Sequence, residues 1–533
     1  MVLRVLPDAG EPQGGDTVTV LGYGFGGATG SVTVKIAGHT ASVQNVQALS
    51  AFASAFGLDS TYPFALERIT LTTPSGTPGK ADLTVQSPAG TTTAVKAFQY
   101  LTSSQTYPNP PLYKFVLYDQ SRQHLYLSAT DHVDIFDLKA QAFLGAIEPP
   151  PNGPPPDADQ RGMALTPDAT QLIVTDFGAQ KVYLINPDGS AYNGTVVPVG
   201  GVAGYASSGP ARVAATSAQT VFVGLAGQGG TTGSCNGCLG QLNLLSSPPA
   251  FQPAPQPEVS SLTGTPLLQA DAIGDVAYLA YDTSPGGPVA LWNAATPDAF
   301  SLSTANDTAT DLATSGDGTI FAMRAANATE IRGANLSLFS SPAAPELETI
   351  PNRVAVPGIA IHPSGALTYE PFLTGAPPTA PPATGIQGGV DIRDAHSGQL
   401  RLRVYMPEPF AMLNTDVDGL HGAFLTTDEN GQRLFALTTS GLTIVQLANV
   451  PLGIGSLSPS SGPASGGTAV TVRGSGFQSG ITATLGGKTA NVSVTDMNTL
   501  VLTTPAMTTG PQQLVLTNSD GESASLDLAF SAQ

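Results

Sequence analysis

Two cysteines, Cys235 and Cys238, are the only ones in this 533-residue chain, and both fall in GTTGSCNGCLG. A CxxC spacing serves a redox pair, half of a zinc site, or a small disulfide. Zinc needs four ligands, and no second CxxC or His pair stands nearby in sequence. No helix-forming stretch follows that would lower a thiol pKa. The expectation is therefore a disulfide closing a glycine-rich loop, as suits an oxidising compartment. The histidines, His39, His124, His132, His362, His396 and His421, form no HxH, HExxH or His–Cys grouping. No GxSxG elbow and no local Ser-His-Asp arrangement is present. Asp416 and Asp418 in DVDG resemble the start of a calcium loop, but LHGAFLTT after them supplies no Glu at the twelfth position, so they remain a weak metal candidate. Tyr281 and Trp292 in YDTSPGGPVALWN would form either a sugar-stacking platform or packing between repeats. No cofactor is expected.

Composition narrows the partners. The formal net charge is −19, from 20 basic against 39 acidic residues, and no Lys/Arg cluster interrupts it. Such a chain repels phosphate backbones and anionic lipid, so neither nucleic acid binding nor membrane insertion is expected. With 60 Gly, 45 Pro and only 11% charged residues, many short strands joined by tight turns are favoured over long helices. No apolar run reaches the roughly 18 residues of a membrane span, and no basic-then-apolar leader opens the chain. Strand pattern begins at once in MVLRVL, so a start Met in place of an export signal is the expectation, with the protein secreted or at the cell surface.

The elements that would position these residues come in two kinds of repeat. GGDTVTVLGYGF, Gly14 to Phe25, and GGTAVTVRGSGF, Gly466 to Phe477, align without a gap from Pro7 against Pro459 onward. Val470 and Val472 alternate with Thr471 and Arg473, the period of a strand with one buried face. Gly474 and Gly476 permit backbone geometry closed to other residues, and each Phe then enters a core. A phosphate-cradling loop would need a following helix, which neither copy has. The first copy differs by an insertion, 47–68, whose ALSAFASAF carries helical spacing over Leu49 to Phe56.

The pattern P..G...GG..VTV.G.GF, then TTP, then a terminal Phe, resembles the IPT/TIG immunoglobulin-like domain in both copies. That resemblance implies a β-sandwich at 1–101 and another at 451–533, serving as spacer, adhesive module or, as in some transcription factors, DNA-contacting unit, a use against which the acidic balance argues. Between them, after a linker at 102–112, the stretch 113–450 repeats a strand–turn–strand–loop–strand figure, clearest in RGMALTPDATQLIVTDFGAQKVYLINPDG. Seven copies are counted, the mark of a β-propeller. GMALTPDATQLIVTD followed by KVYLINP resembles the bacterial YVTN/NHL-like propellers. The fold class expected is all-β: a seven-bladed β-propeller flanked by two immunoglobulin-like sandwiches.

Blade topology sorts the loops. The short turns TPDAT, SGDGT, HPSG and DENG connect first to second strands. The long insertions EPPPNGPPPDADQ, MPEPFAMLNTDVDG, GQGGTTGSCNGC and PFLTGAPPTAPPATGIQGG fall where connections emerge on the opposite face. Loops on a rigid scaffold carry function, so that face is the binding candidate. Residues at the start of a first strand or the end of a second would reach its mouth: Arg161, Arg212, His421, Asp131 and Asp176. The reading is a non-enzymatic surface protein presenting this face to a glycan or an extracellular protein. The alternatives are a self-assembling layer or fibre, through terminal sandwiches, and a polysaccharide lyase or hydrolase. The last repeat lacks an outer strand, so part of the linker Leu101 to Pro111 is expected to pair there, which would bring the two sandwiches together at one seam.

Overall fold

The computed structural model describes the chain from Met1 to Gln533 except for 50–65, 110–111, 149–158, 189–193, 200–207, 228–238, 255–265, 282–286, 308, 325–328, 334–335, 337, 341–352, 377–384 and 413–421. Among the described residues there is no α-helix, and none forms a helix long and apolar enough to cross a membrane. Cys235, Cys238, Asp416, Asp418, His421 and the stretch expected to be helical beyond Leu49 lie outside the described residues.

The first hundred residues form two sheets around one core. Val2–Leu6, Thr17–Gly22, Glu67–Thr72 and Ser42–Ala48 make the first sheet, and Ala9–Gly10, Gly90–Tyr100, Gly79–Ser87, Thr33–Ile36 and His39–Thr40 the second. Alternation decides which residues meet: Val18, Val20, Ile69, Leu71, Leu83 and Val85 turn inward onto Phe25 and Phe98. The GFGG turn is held by a carboxylate of its own chain. Glu67 accepts hydrogen bonds from the N–H groups of Phe25 at 2.5 Å, Gly26 at 3.0 Å and Gly27 at 2.8 Å. Those donors are therefore occupied, as a fold-specifying turn requires.

The insertion proves shorter than 47–68. Gln47 pairs with Arg68 and Ala48 with Glu67 in an antiparallel ladder, and Leu49 N–H donates to Leu66 C=O at 2.8 Å, so the excursion begins only beyond Leu49. Since the hairpin is closed at its root, replacing 50–65 by a short turn should leave one cooperative melting transition, with stability changed by less than about 1 kcal/mol. Loss of that transition would show the segment to be core.

At the C-terminus the corresponding strands are continuous through one element. Lys488–Asp496 pairs with Thr482–Leu485 through its first residues and with Thr499–Thr503 through the rest, so eight strands form a single path around the core of Val470, Val472, Leu500, Leu502, Leu514, Leu516 and Phe530.

Between these units the described residues form seven further sheets. Their innermost strands are Phe115–Asp119, Gln160–Leu165, Ser208–Ala215, Pro266–Ala270, Asp311–Thr314, Ala360–Ile361 and Leu425–Thr427. Each touches the next, and the last touches the first, so the sheets close a ring. Apolar clusters fill the gaps between successive sheets. Trp292 illustrates this: it is 1% exposed, meets Phe222 of the preceding sheet edge-to-face at 5.3 Å, and donates from Nε1 to Pro297 C=O at 2.9 Å. With Tyr281 equally buried, the pair packs between sheets and offers no stacking platform.

The ring is closed by a strand from outside the repeats. Ser103–Pro108 pairs antiparallel with Gly441–Gln446, from Ser103 opposite Gln446 to Pro108 opposite Gly441, and supplies the seventh sheet's outer strand. Chain entry and exit consequently share one seam, and the terminal units touch: Lys80 Nζ lies 2.8 Å from Asp520 and 2.6 Å from Glu522.

Candidate functional site

Both terminal units pack away from the face with the long connections. The C-terminal unit rests on short turns of the last two sheets, where His396 Nε2 meets Gly455 C=O at 3.0 Å and Asn498 Nδ2 donates to Asn430 Oδ1 at 3.0 Å. The N-terminal unit grips an outer strand, with Arg403 N–H donating to Asp8 Oδ1 at 2.5 Å. The long connections root on the opposite face. The tips of all four long connections lie outside the described residues.

A cavity of about 770 Å³ runs along the ring axis, walled by the inner strands with residues such as Val116, Met163, Val213, Leu268 and Ile359. Charged residues flank the first two inner strands where they begin, on the side where the long connections root. Arg161 Nε donates to Asp159 Oδ2 at 2.8 Å and Arg161 Nη2 to the same oxygen at 2.5 Å, while the guanidinium lies 3.6 Å from the centre of the Phe177 ring. Lys114 Nζ reaches the other Asp159 oxygen at 3.1 Å. Two cations thus share one carboxylate, and although burial raises the Asp159 pKa, these partners hold it below the usual range. Arg161 Nη1 is buried and has no hydrogen-bond partner among the described residues.

Arg212 and Asp311 line the cavity itself. Asp311 accepts from the N–H groups of Gly358 and, at 2.5 Å, of Ile359. Burial raises its pKa against the opposing charges of Arg212 and Arg324. Asp131, with 46% of its side chain exposed, accepts from or faces His132 Nδ1 at 2.7 Å, and His132 Nε2 lies 3.5 Å from Asp134. Asp134 in turn takes the Tyr113 hydroxyl and, at 3.0 Å, Asn109 Nδ2. This row links the closing strand to the first sheet.

Of the residues singled out from sequence, Arg212 lines the cavity; Arg161 is turned onto Asp159 and the Phe177 ring, and Asp131 lies beside His132, neither of them lining it. Asp176 does not serve there. It is fully buried and accepts from Asp159 N–H and Ala179 N–H, each at 2.9 Å, and from the Tyr183 hydroxyl at 3.3 Å. Its carboxylate caps a turn, because the alternation of its strand aims it inward. Sequence reading missed Asp159, Lys114, Asp311 and Asp134. Asp159 sits two residues before Arg161, a local signal; Asp311 meets Arg212 only through ring closure, which no local pattern carries. Among the described residues no group of three or more His, Cys, Asp or Glu side chains is arranged to hold a metal. The arrangement is a cavity of mixed polar and apolar wall with fixed charges of both signs, such as Arg212 and Asp311, which suits a ligand carrying polar groups.

The IPT/TIG domain family matches residues 2–100 and 452–532. No curated protein matches the chain. Among solved structures, the chain is similar to Kuenenia stuttgartiensis hydrazine synthase, at 13% identity over 64% of this chain and 98% of that one with a TM-score of 0.45. It is also similar to the β-propeller domain of Myceliophteria thermophila Cps50 (Swd1), at 11% identity over 65% of this chain and all of that one with a TM-score of 0.46.

Proposed function

We propose that the chain is a bacterial binding protein of the cell exterior, in which a seven-bladed β-propeller of YVTN/NHL-like type is flanked by two immunoglobulin-like sandwiches and works without catalysis. The supporting observation is the placement of the sandwiches. Both pack on the short-turn face and outer edge at the seam, away from the loop-bearing face at which Arg212 and Asp311 line the cavity. The ligand is a surface glycan or an extracellular protein, held by fixed charges at the mouth. An array of surface glycans and extracellular proteins tests this. A ligand should be captured, and Arg212→Ala, at the cavity, and Asp131→Ala, on the loop face, should each weaken it about tenfold, as truncation of a well-placed contact does. Lys139→Ala, remote from the mouth, should leave it unchanged. Capture that ignores the mouth variants would overturn the reading.

A further inference from the structure

The interface between the two terminal domains joins unlike parts of like domains, and it leaves one matching pair unused. Their last hairpins are equivalent strand for strand. Gly79 opposes Tyr100 and Ala81 opposes Phe98 in the first; Gly510 opposes Ala532 and Gln512 opposes Phe530 in the second; both then shift register at a bulge. Lys96, at φ 52°, and Leu528, at φ 53°, occupy the same left-handed position in that bulge. The tips correspond too, since Ser87 donates to Gly24 C=O at 2.7 Å where Asn518 donates to Gly476 C=O at 2.8 Å.

Within the chain, the base of the first hairpin grips the tip of the second. Lys80 binds Asp520 and Glu522, and Lys96 Nζ donates to Asp520 C=O at 3.1 Å. A basic base meets an acidic tip. What remains is the base of the second hairpin and the tip of the first. Pro511 and Leu528 stand where Lys80 and Lys96 stand in the other copy, and the free tip is Pro88 and Ala89, all of them exposed. Here a base carrying Pro511 and Leu528, beside the Asp527 carboxylate that accepts from Gln513 Nε2 at 2.6 Å, faces a tip of Pro88 and Ala89. Leu528 is 76% exposed, a large apolar side chain at a positive φ that an unbranched polar residue or Gly would occupy more cheaply.

We propose that the base of the C-terminal hairpin docks onto the tip of the N-terminal hairpin of a second copy of this chain. The geometry repeats the intramolecular interface, so it continues that interface outward. A contact between unlike patches does not close on itself when the intramolecular one occupies the other pair, and copies therefore add head to tail. The charge pattern excludes wrong pairings: the acidic tip is already filled by Lys80, and the base of the second hairpin offers it the Asp527 carboxylate where the first offers two lysines. The patch is small, so association is weak for a single contact.

The test is the mass of the purified full chain by sedimentation and light scattering. The wild type should at least double its average mass between about 5 and about 200 μM, as a small interface allows. Leu528→Asp and Ala89→Asp should each remain monomeric throughout, with melting unchanged because both sites are exposed. Mixed in equal amounts, the two variants should form one-to-one dimers that grow no further, since Leu528→Asp keeps an intact tip and Ala89→Asp an intact base. A wild type that stays monomeric, a variant that associates like the wild type, or a mixture that stays monomeric overturns the proposal.

Discussion

Asp391→Ala is expected to cost about 4 kcal/mol of stability, because removing one partner from a buried ion cluster leaves its cations uncompensated. Asp391 is wholly buried in the sixth sheet. Arg403 approaches it twice, with Nε at 2.6 Å and Nη2 at 2.8 Å, while Arg393 Nη2 and Arg353 Nη2 each lie at 3.0 Å. Burial by itself would raise its pKa, but the hydrogen bond and charge of Arg403, with Arg353 and Arg393, hold it at about 2. Glu370 adds weaker contacts to Arg393 at 3.5 Å and Arg324 at 3.8 Å, too long to take over. The loss should spread to the N-terminal domain, since the same Arg403 donates its backbone N–H to Asp8. Urea unfolding followed with a protease that cuts the freed domain reads both effects. A change below about 1 kcal/mol would mean the cluster contributes little. The pH window follows from the sign. A carboxylate with a depressed folded pKa contributes stability above its unfolded value of 3.8, lost only as pH falls toward 2, so this cluster survives moderate acid.

The C-terminal domain should loosen in milder acid. His362 is fully buried beneath it, and burial lowers its pKa from 6.5 to about 4, outweighing the hydrogen bond to Asn430 C=O and the charge of Asp428. Ser364 N–H donates to Nδ1 at 3.2 Å, so the neutral ring carries its proton on Nε2, 3.2 Å from Asn430 C=O. Asn430 in turn bonds Asn498 of the C-terminal domain. A depressed folded pKa contributes stability above pH 6.5 that is lost as pH falls toward 4, about 3 kcal/mol in all for this shift. His396, which burial shifts the same way, meets Gly455 of that domain. Unfolding free energy should therefore fall steeply between pH 6.5 and 4. His362→Gln, which can still accept from Ser364 and donate to Asn430, should flatten that slope, and adding His396→Gln should flatten it further. An unchanged slope in the double variant would assign the acid response to other groups.

What local pattern could specify was legible. Alternation in TVTV and AVTV assigns one face to the core because a strand's side chains alternate sides whatever their neighbours. The Gly-rich turns were readable for a similarly local reason: Gly14 at φ 74° and Gly466 at φ 83° need a residue without a Cβ. Even the closing strand at Ser103–Pro108 was foreseeable, since a final repeat short of one strand leaves an edge that some segment must cover. Charge pairing was not legible. Asp176 reads as a mouth residue until its strand turns it inward to cap a turn. Glu67 reads as the end of an insertion until its carboxylate fills the amide nest of Phe25 to Gly27. Arg212 and Asp311, or Lys80 and Glu522, meet only when ring and seam close. Backbone conformation depends on neighbours in sequence, whereas the partner of a charge depends on neighbours in space, and those the tertiary structure alone decided.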